Sequence, residues 1–549
     1  MITKKRKGIF SLLTGLVVSF CYVAGYSLDN FDTVDFLQKS FYIKWVLAGG
    51  AACGLLYGLF TLMEYKKRHN PLFQRIPFLS KLMDSHFCCA LLLLICWTPA
   101  LLSLFPGAFS YDAHQEWEQA AQGVITSHHP VIHVLFVGGL VEGLHTLTGS
   151  YNVGIALCSI LQMILLASVF AYTISFLRKS QLPEGILFFA LLFYAISPVI
   201  QLFSISATKD VLFSAALLLF FLFTLRLYNG KEPFWETRKN WILLGLSAFF
   251  SMILRNNGFY IVVFTLLVMF ILELRRRKRP ERGFLAMLTG IAILYGLYVG
   301  PFYSILNVAP GGVEEMLSVP LQQMARVHKY NYDSLEQQDL ELLYRVIPEE
   351  NWTAYRSTVS DFVKAGFDRA AFEESKTDFI KLWAKWGAQH PLTYINSFLV
   401  GTVDFWYPNA VVDGYKDVYD KSSYFDYRVS EPGTEVVLLP RVHKYYEAIS
   451  LEKDAQKIPL AFLALSPGWY ILMWLVIFSY LWCYKRYQFL VPMLIFLLSL
   501  LTVFLGPIAL VRYVLIFYMA FPVLLSVFLY DGNFVLESPE EISDRSPRS

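Results

Sequence analysis

Apolar residues in this chain come in long unbroken runs, not at alternate positions or at the spacing of a half-buried helix. A helix needs about 20 apolar residues to cross a bilayer. Runs that approach this length are expected near 8–27, 44–63, 87–106, 152–177, 186–204, 211–228, 241–255, 258–273, 284–304, 461–483, 489–507 and 511–530. The pair 241–255 and 258–273 is short and could form one broken hairpin. A further apolar stretch, 131–146, contains His133, Glu142 and His145. It is too short and polar for a comfortable span, so it is expected to lie on or dip into the membrane face, with Pro130 at its start.

The polar residues between these runs set the expected organisation. Residues 306–460 form the one large region without spanning runs and carry 16 Lys/Arg against 23 Asp/Glu. Helical patterns dominate it, with Gln337 and Asp339 leading into a helix to Val346 and Pro391 opening another over 392–404. The Tyr/Asp-rich stretch 407–430 is expected to be an ordered loop. The fold class is therefore an all-α polytopic membrane protein with about twelve transmembrane helices and a mainly helical extracytoplasmic domain. Its parts are an N-terminal transmembrane region (1–305) with an acid-bearing outer loop (108–151), a soluble domain (306–460), C-terminal transmembrane helices (461–530) and a disordered cytoplasmic tail (531–549).

Charge placement orients this arrangement. Short loops assigned to one face carry 23 Lys and Arg, and those on the other carry Lys39, Lys44, Lys209, Arg255 and Arg512. The positive-inside rule then places both termini in the cytoplasm and the large domain outside a multi-pass cell-membrane protein. Composition agrees: 56% of the 549 residues are hydrophobic and 17% aromatic, with a mean hydropathy of +0.47. The net charge of +3 is too small to indicate nucleic acid as a partner. All seven cysteines lie in or beside apolar runs at spacings that suit neither zinc nor redox chemistry.

Against that background one segment stands out. Residues 108–151 contain no Lys or Arg, but hold Asp112, Glu116, Glu118 and Glu142 and five of the ten histidines. Ionisable groups near hydrocarbon are costly unless they are used. Three cations, Lys209, Arg255 and Arg512, sit at the same ends of otherwise apolar spans. Each could snorkel to the interface, and Lys209 could pair with Asp210. Together they suit an anion such as phosphate, for which Lys offers a point charge and Arg a fork of donors. A carboxylate base, cations and a membrane site together fit a lipid-phosphate-linked substrate, and sugar transfer from polyprenyl phosphate is the simplest reaction that uses all three.

Two resemblances follow from these residues. An acid in an early outer loop, many further spans and a large outer soluble part resemble the GT-C class of membrane glycosyltransferases. More closely, the chain resembles a family of uncharacterised polytopic membrane proteins known chiefly from Gram-positive bacteria. The stretches that carry this second likeness are Pro106–Asp112, His128–His133, Lys209–Phe213, Leu254–Gly258, Ser318–Arg326 and Phe405–Pro408. Each is short; their order makes the match. Asp112 follows the third span, where the GT-C class usually places its acid after the first, and it has no adjacent acid.

The resemblance implies a polyprenyl-phosphate-linked sugar donor and an envelope glycan or lipid acceptor. Asp112 becomes the candidate general base, although it also precedes a plausible helix over 113–122 and could be its N-cap. His128 and His129 join it as candidate catalytic residues. Tyr111, Gln115, His133, Lys209, Asp210, Arg255, Asn256, Gln323, Arg326, Trp406, Tyr407 and Arg512 are candidate substrate contacts. Lys209, Arg255 and Arg512 would stabilise the leaving phosphate. The residues fix no cofactor, but His129 and His133, four residues apart, could hold a divalent metal with a nearby acid. Arg326 could equally belong to a solvated helix face, and Trp406–Tyr407 to an interfacial aromatic belt. Flippases, exporters and polymerases of lipid-linked glycans are the alternative functions. A flippase or exporter would require related halves around a charged passage, which the sequence does not show.

Overall fold

The computed structural model describes residues 3–68, 83–180, 182–230, 234–277, 280–412, 424–456, 458 and 461–531. Most of the expected tail, and residues 413–423 of the Tyr/Asp-rich stretch, lie outside these. Among the described residues the chain is all-helical, with isolated backbone bridges and no strand. Eight helices are long and apolar enough to cross a membrane, and up to ten if each of two bent pairs is one span.

The N-terminal half runs as α1 (Lys4–Phe31), α2 (Lys39–Arg68), α3 (His86–Ser103), α4 (Ala113–Gln122), α5 (Val131–Thr148), α6 (Tyr151–Lys179), α7 (Glu184–Ile196), α8 (Pro198–Ser204), α9 (Lys209–Asn229), α10 (Arg238–Leu254), α11 (Asn256–Arg277) and α12 (Arg282–Ile305). Of the expected spans, 186–204 is the bent pair α7–α8, broken before Pro198, whose ring cannot continue the helical hydrogen bonding. The 241–273 region is a hairpin of α10 and α11 separated by one extended residue, Arg255.

The 131–146 segment differs from expectation. It forms an 18-residue helix, α5, that meets the length and composition of a span. The helix continues to Thr148, and one of its expected polar liabilities, His133, is buried against a carboxylate. Its second turn is π-helical over Leu135–Gly139. Gly138 lies on this turn, where a Cβ would stand 2.5 Å from the backbone oxygen of Glu116. That close approach lets α4 lie against α5.

Burial ranks the helices. In α9, 72% of the most apolar window is buried inside the protein, against 22% for α2 and for α12. The N-terminus of α9, where Lys209 sits, is therefore central. Residues 306–460 have their own core, including Leu321, Met324, Trp352, Phe372 and Trp386, built mainly by α13 (Ser318–Tyr330), α14 (Gln337–Val346), α15 (Arg369–Gln389) and α16 (Pro391–Trp406). This region is tied to the α1–α2 turn: Asn396 accepts from Val34 N at 2.7 Å and donates to Val34 O at 3.1 Å. After α17 (Pro440–Leu451) the chain returns to the bundle as α18 (Pro467–Cys483), α19 (Leu490–Val503), α20 (Val511–Met519) and α21 (Phe521–Tyr530). The pair α20–α21, bent by 40°, is the expected span 511–530, and α18 and α19 are shorter apolar helices.

The Gly138 contact generates a paired prediction. Gly138→Ala must push α4 off α5 and costs about 1–3 kcal/mol as overpacking. At Gly139 a Cβ meets nothing within 4 Å, so Gly139→Ala is neutral or stabilising by about 0.5–1 kcal/mol through helix propensity. Thermal unfolding in detergent separates the two; equal shifts would contradict the packing described.

Candidate functional site

The acid-bearing loop is held before its side chains are considered. Ala108 N donates to Ile205 O and Ala207 N to Ala108 O, both at 2.9 Å, while Ser430 N donates to Phe109 O at 2.8 Å. Gln162, buried on α6, donates to the carbonyls of Phe203, Ser204 and Ser206 at 3.2, 3.1 and 2.7 Å. These bonds place the loop 105–112 beside the start of α9. Tyr111 takes the left-handed conformation at φ 55°, and its hydroxyl accepts from Asp426 N at 3.0 Å.

Asp112 stands at the N-cap position of α4, yet its side chain makes no capping bond. The carboxylate instead faces two cations. Lys209 Nζ donates to Oδ2 at 2.7 Å, and the two terminal nitrogens of Arg512 donate to Oδ2 at 3.0 Å and Oδ1 at 3.3 Å. The capping interpretation therefore fails on geometry. Burial works to raise the pKa of Asp112, but Arg512 and Lys209 outweigh it and hold the carboxyl well below the usual carboxylate range.

Lys209 also donates to His129 Nδ1 at 2.8 Å, and His129 Nε2 lies 3.1 Å from Gln115 Oε1. Nδ1 must then accept and Nε2 carry the hydrogen, which is the neutral ring. Burial, then the Lys209 charge, lowers the His129 pKa to about 2. Glu116 lies on the same side, with Oε2 2.5 Å from His133 Nδ1 and Oε1 3.9 Å from both Lys209 and His129. The i,i+4 spacing of His129 and His133 does bring both rings to one acid. However, the cation at the centre is the Lys209 ammonium, and no group of three His, Cys, Asp or Glu among the described residues is placed to hold a metal.

Asp210 does not pair with Lys209. It points into the protein, 2.5 Å from Arg255 Nη1 and 3.6 Å from Arg512 Nε, and Thr208 Oγ1 donates to it at 3.1 Å. The Arg255–Asp210 contact is an ion pair and not a hydrogen bond. Tyr513 supports both arginines, with its ring centroid 4.2 Å from the Arg255 guanidinium and 4.9 Å from that of Arg512. Tyr111 covers Arg512 from 4.6 Å. Helices α4, α5, α9 and α11 all begin around this cluster, so their N-terminal dipole ends add to its attraction for anions.

The structure thus brings together Tyr111, Asp112, Gln115, His129, His133, Lys209, Asp210, Arg255 and Arg512. His128 is exposed and packs its ring edge-on against His129 at 4.5 Å, and Asn256 donates to Ser127 O at 3.2 Å on the same loop. Four candidates make their contacts elsewhere. Gln323 accepts from Trp383 Nε1 at 2.9 Å within the outer region. Arg326 donates to Asp32 O at 2.5 Å and to Tyr355 at 3.3 Å, so it clamps the end of α1. Trp406 is buried and stacked on Phe20, and Tyr407 is buried against Gly25 and Gly468; neither offers an open shelf for a sugar. Glu116 and Tyr513 belong to the cluster but were not chosen from sequence. The spacing of Glu116 one turn after Asp112, and of Tyr513 beside Arg512, were the signals available.

Protonation of His129 links the site to stability. Its folded pKa lies far below the ordinary 6.5, so below pH 6.5 the unfolded chain binds a proton that the folded chain does not. Stability is complete above pH 6.5 and is lost progressively as pH falls towards 2. Wild type should lose thermal stability between pH 7.5 and 5.5, and His129→Gln should lose less, the remainder including buried His328, whose pKa is also lowered. Identical slopes would mean that His129 is charged in the folded protein.

No curated protein and no solved structure matches this chain. One family does, over residues 120–541, a stretch that begins just after Asp112 and includes His129, Lys209, Arg255 and Arg512. The chain belongs to the DUF6020 family, a family of unknown function.

Proposed function

We propose that this protein is a membrane glycosyltransferase that moves a sugar from a polyprenyl-phosphate-linked donor to a cell-envelope glycan or lipid acceptor. The observation that carries this reading is the Asp112 carboxylate, left uncapping at the head of α4 and held by the Arg512 fork and Lys209. A structural N-cap would bond its own helix. A snorkelling cation would reach for water, whereas only about a tenth or less of the Lys209 and Arg512 side chains is accessible (11% and 6%).

In this reading the acceptor hydroxyl attacks the anomeric carbon as Asp112 takes its proton. The bond from that carbon to the phosphate oxygen breaks, and the electron pair leaves with polyprenyl phosphate. Lys209, Arg512 and Arg255 balance the charge that builds on the phosphate, in a water-poor setting where fixed charges act strongly. Attack opposite the departing phosphate inverts the anomeric centre. A carboxyl held at low pKa is a weak base, so Asp112 can accept a proton effectively only once a phosphate has drawn its cations away.

The same reading makes the fold GT-C-like. It counts the two bent pairs, α10, α18 and α19 as crossings and leaves α5 at the outer face to reach twelve, places both termini in the cytoplasm and puts residues 306–460 outside, where an envelope acceptor would arrive. An exporter of lipid-linked glycans is the competing function.

The test is transfer from radiolabelled polyprenyl-phosphate sugars in proteoliposomes. Asp112→Asn should lower turnover by about 100-fold or more, the scale of a lost general base. Movement of lipid-linked sugar across the bilayer without transfer, equal in wild type and Asp112→Asn, would replace the transferase reading with the exporter.

A further inference from the structure

Three cations in the cluster, Lys209, Arg255 and Arg512, face three carboxylates, Asp112, Glu116 and Asp210. Among these six groups the charges cancel. The cations can bind a phosphate only by giving up a carboxylate. The three acids are not equally free to leave. Asp210 is fully buried and Glu116 is 1% exposed, whereas a quarter of the Asp112 side chain (25%) is accessible.

Asp112 is also the carboxylate whose departure costs its own element least. It sits at the N-cap of α4 without capping it, so its release breaks no helix-end bond. The grip on it has the form used for phosphate: two parallel donors from one guanidinium and one ammonium. A further donor atom, Arg512 Nε, is buried without a hydrogen-bond partner, 3.6 Å from Asp210 Oδ2. A tetrahedral anion has oxygens enough to reach such an additional donor, and a planar carboxylate does not.

We propose that Asp112 is a tethered stand-in for the donor phosphate, and that a phosphodiester monoanion enters by displacing it from Arg512 and Lys209. One negative charge replaces one, so the site stays balanced; a pyrophosphate-linked donor, with at least one charge more, would not match it. The exchange also orders the reaction. The carboxylate is released only when a donor is seated, and an acceptor arriving first meets a carboxylate still bound to its cations. The base role of the freed carboxylate rests on the transferase reading above; the exchange itself does not.

The experiment measures binding of farnesyl methyl phosphate, a phosphodiester monoanion, to the full-length protein in nanodiscs, with farnesol as the uncharged control. Asp112→Asn removes the competing anion and should bind this diester about 10-fold or more tighter than wild type, the change expected when a binding-competent state no longer has to be released. Arg512→Gln should weaken binding, and farnesol binding should stay the same in all three. Should Asp112→Asn fail to fold, Asp112→Ser carries the same comparison. Equal or weaker binding by the uncharged variant overturns the exchange. Tighter binding with no sugar transfer from any donor keeps the exchange and counts against the transferase. Transfer without tighter binding has the opposite meaning.

Discussion

Six charged side chains drawn together among apolar helices impose one requirement on everything around them: the charges must cancel, and every partner must arrive at the same place. The desolvation of each ion costs several kcal/mol and is offset only by close, well-oriented opposite charge. Here the offset depends on Asp112, whose two oxygens hold Arg512 and Lys209 together. These three residues come from the loop after α3 and from the starts of α9 and α20, so one contact fixes the relative placement of widely separated parts of the chain. Arg255 and Asp210 complete the balance on the buried side, under the ring of Tyr513.

The helix breaks follow from the same requirement. Arg255 is a single extended residue between α10 and α11, and Lys209 and Asp210 open α9 after the irregular segment 205–208. Interrupting a helix inside an apolar bundle exposes backbone groups that need partners. The structure provides them: Gln162 takes the carbonyls before α9, and the bridge between Ala108 and Ser206 ties that irregular segment to the acid-bearing loop. Breaks at these positions turn helix N-termini towards the cluster, where their dipole ends favour the carboxylates present and any anion that replaces them.

Much of this could be read in the residues themselves. Apolar runs located the long helices, because hydrocarbon thickness sets their length and little else does. The acid-rich loop and the three misplaced cations pointed to the charged cluster that the structure draws together, because a charge beside an apolar run is expensive enough to need a reason. What could not be read was geometry that depends on one residue. The 131–146 stretch reads as both too short and too polar for a span, whereas the helix extends to Thr148 and His133 is satisfied by Glu116 across the α4–α5 contact. Adjacency leaves a pairing of Asp210 with Lys209 open, but neighbouring residues at a helix start point in different directions, and Asp210 serves Arg255 instead. Arg326, Trp406 and Tyr407 looked functional as residue types and are used in packing and tethering, which composition does not distinguish.

The central claim is that Asp112 and Arg512 act as one buried unit. A double-mutant cycle of Asp112→Asn and Arg512→Gln, read by thermal unfolding of the detergent-solubilised protein, measures that unit directly. The account predicts that each single change is strongly destabilising because it leaves an opposite charge buried, and that the double variant loses clearly less than the two single losses added together. A coupling of about 1–3 kcal/mol is the scale for contacting charged partners. Strict additivity would contradict the account, because two independent residues would then stand where this structure has one.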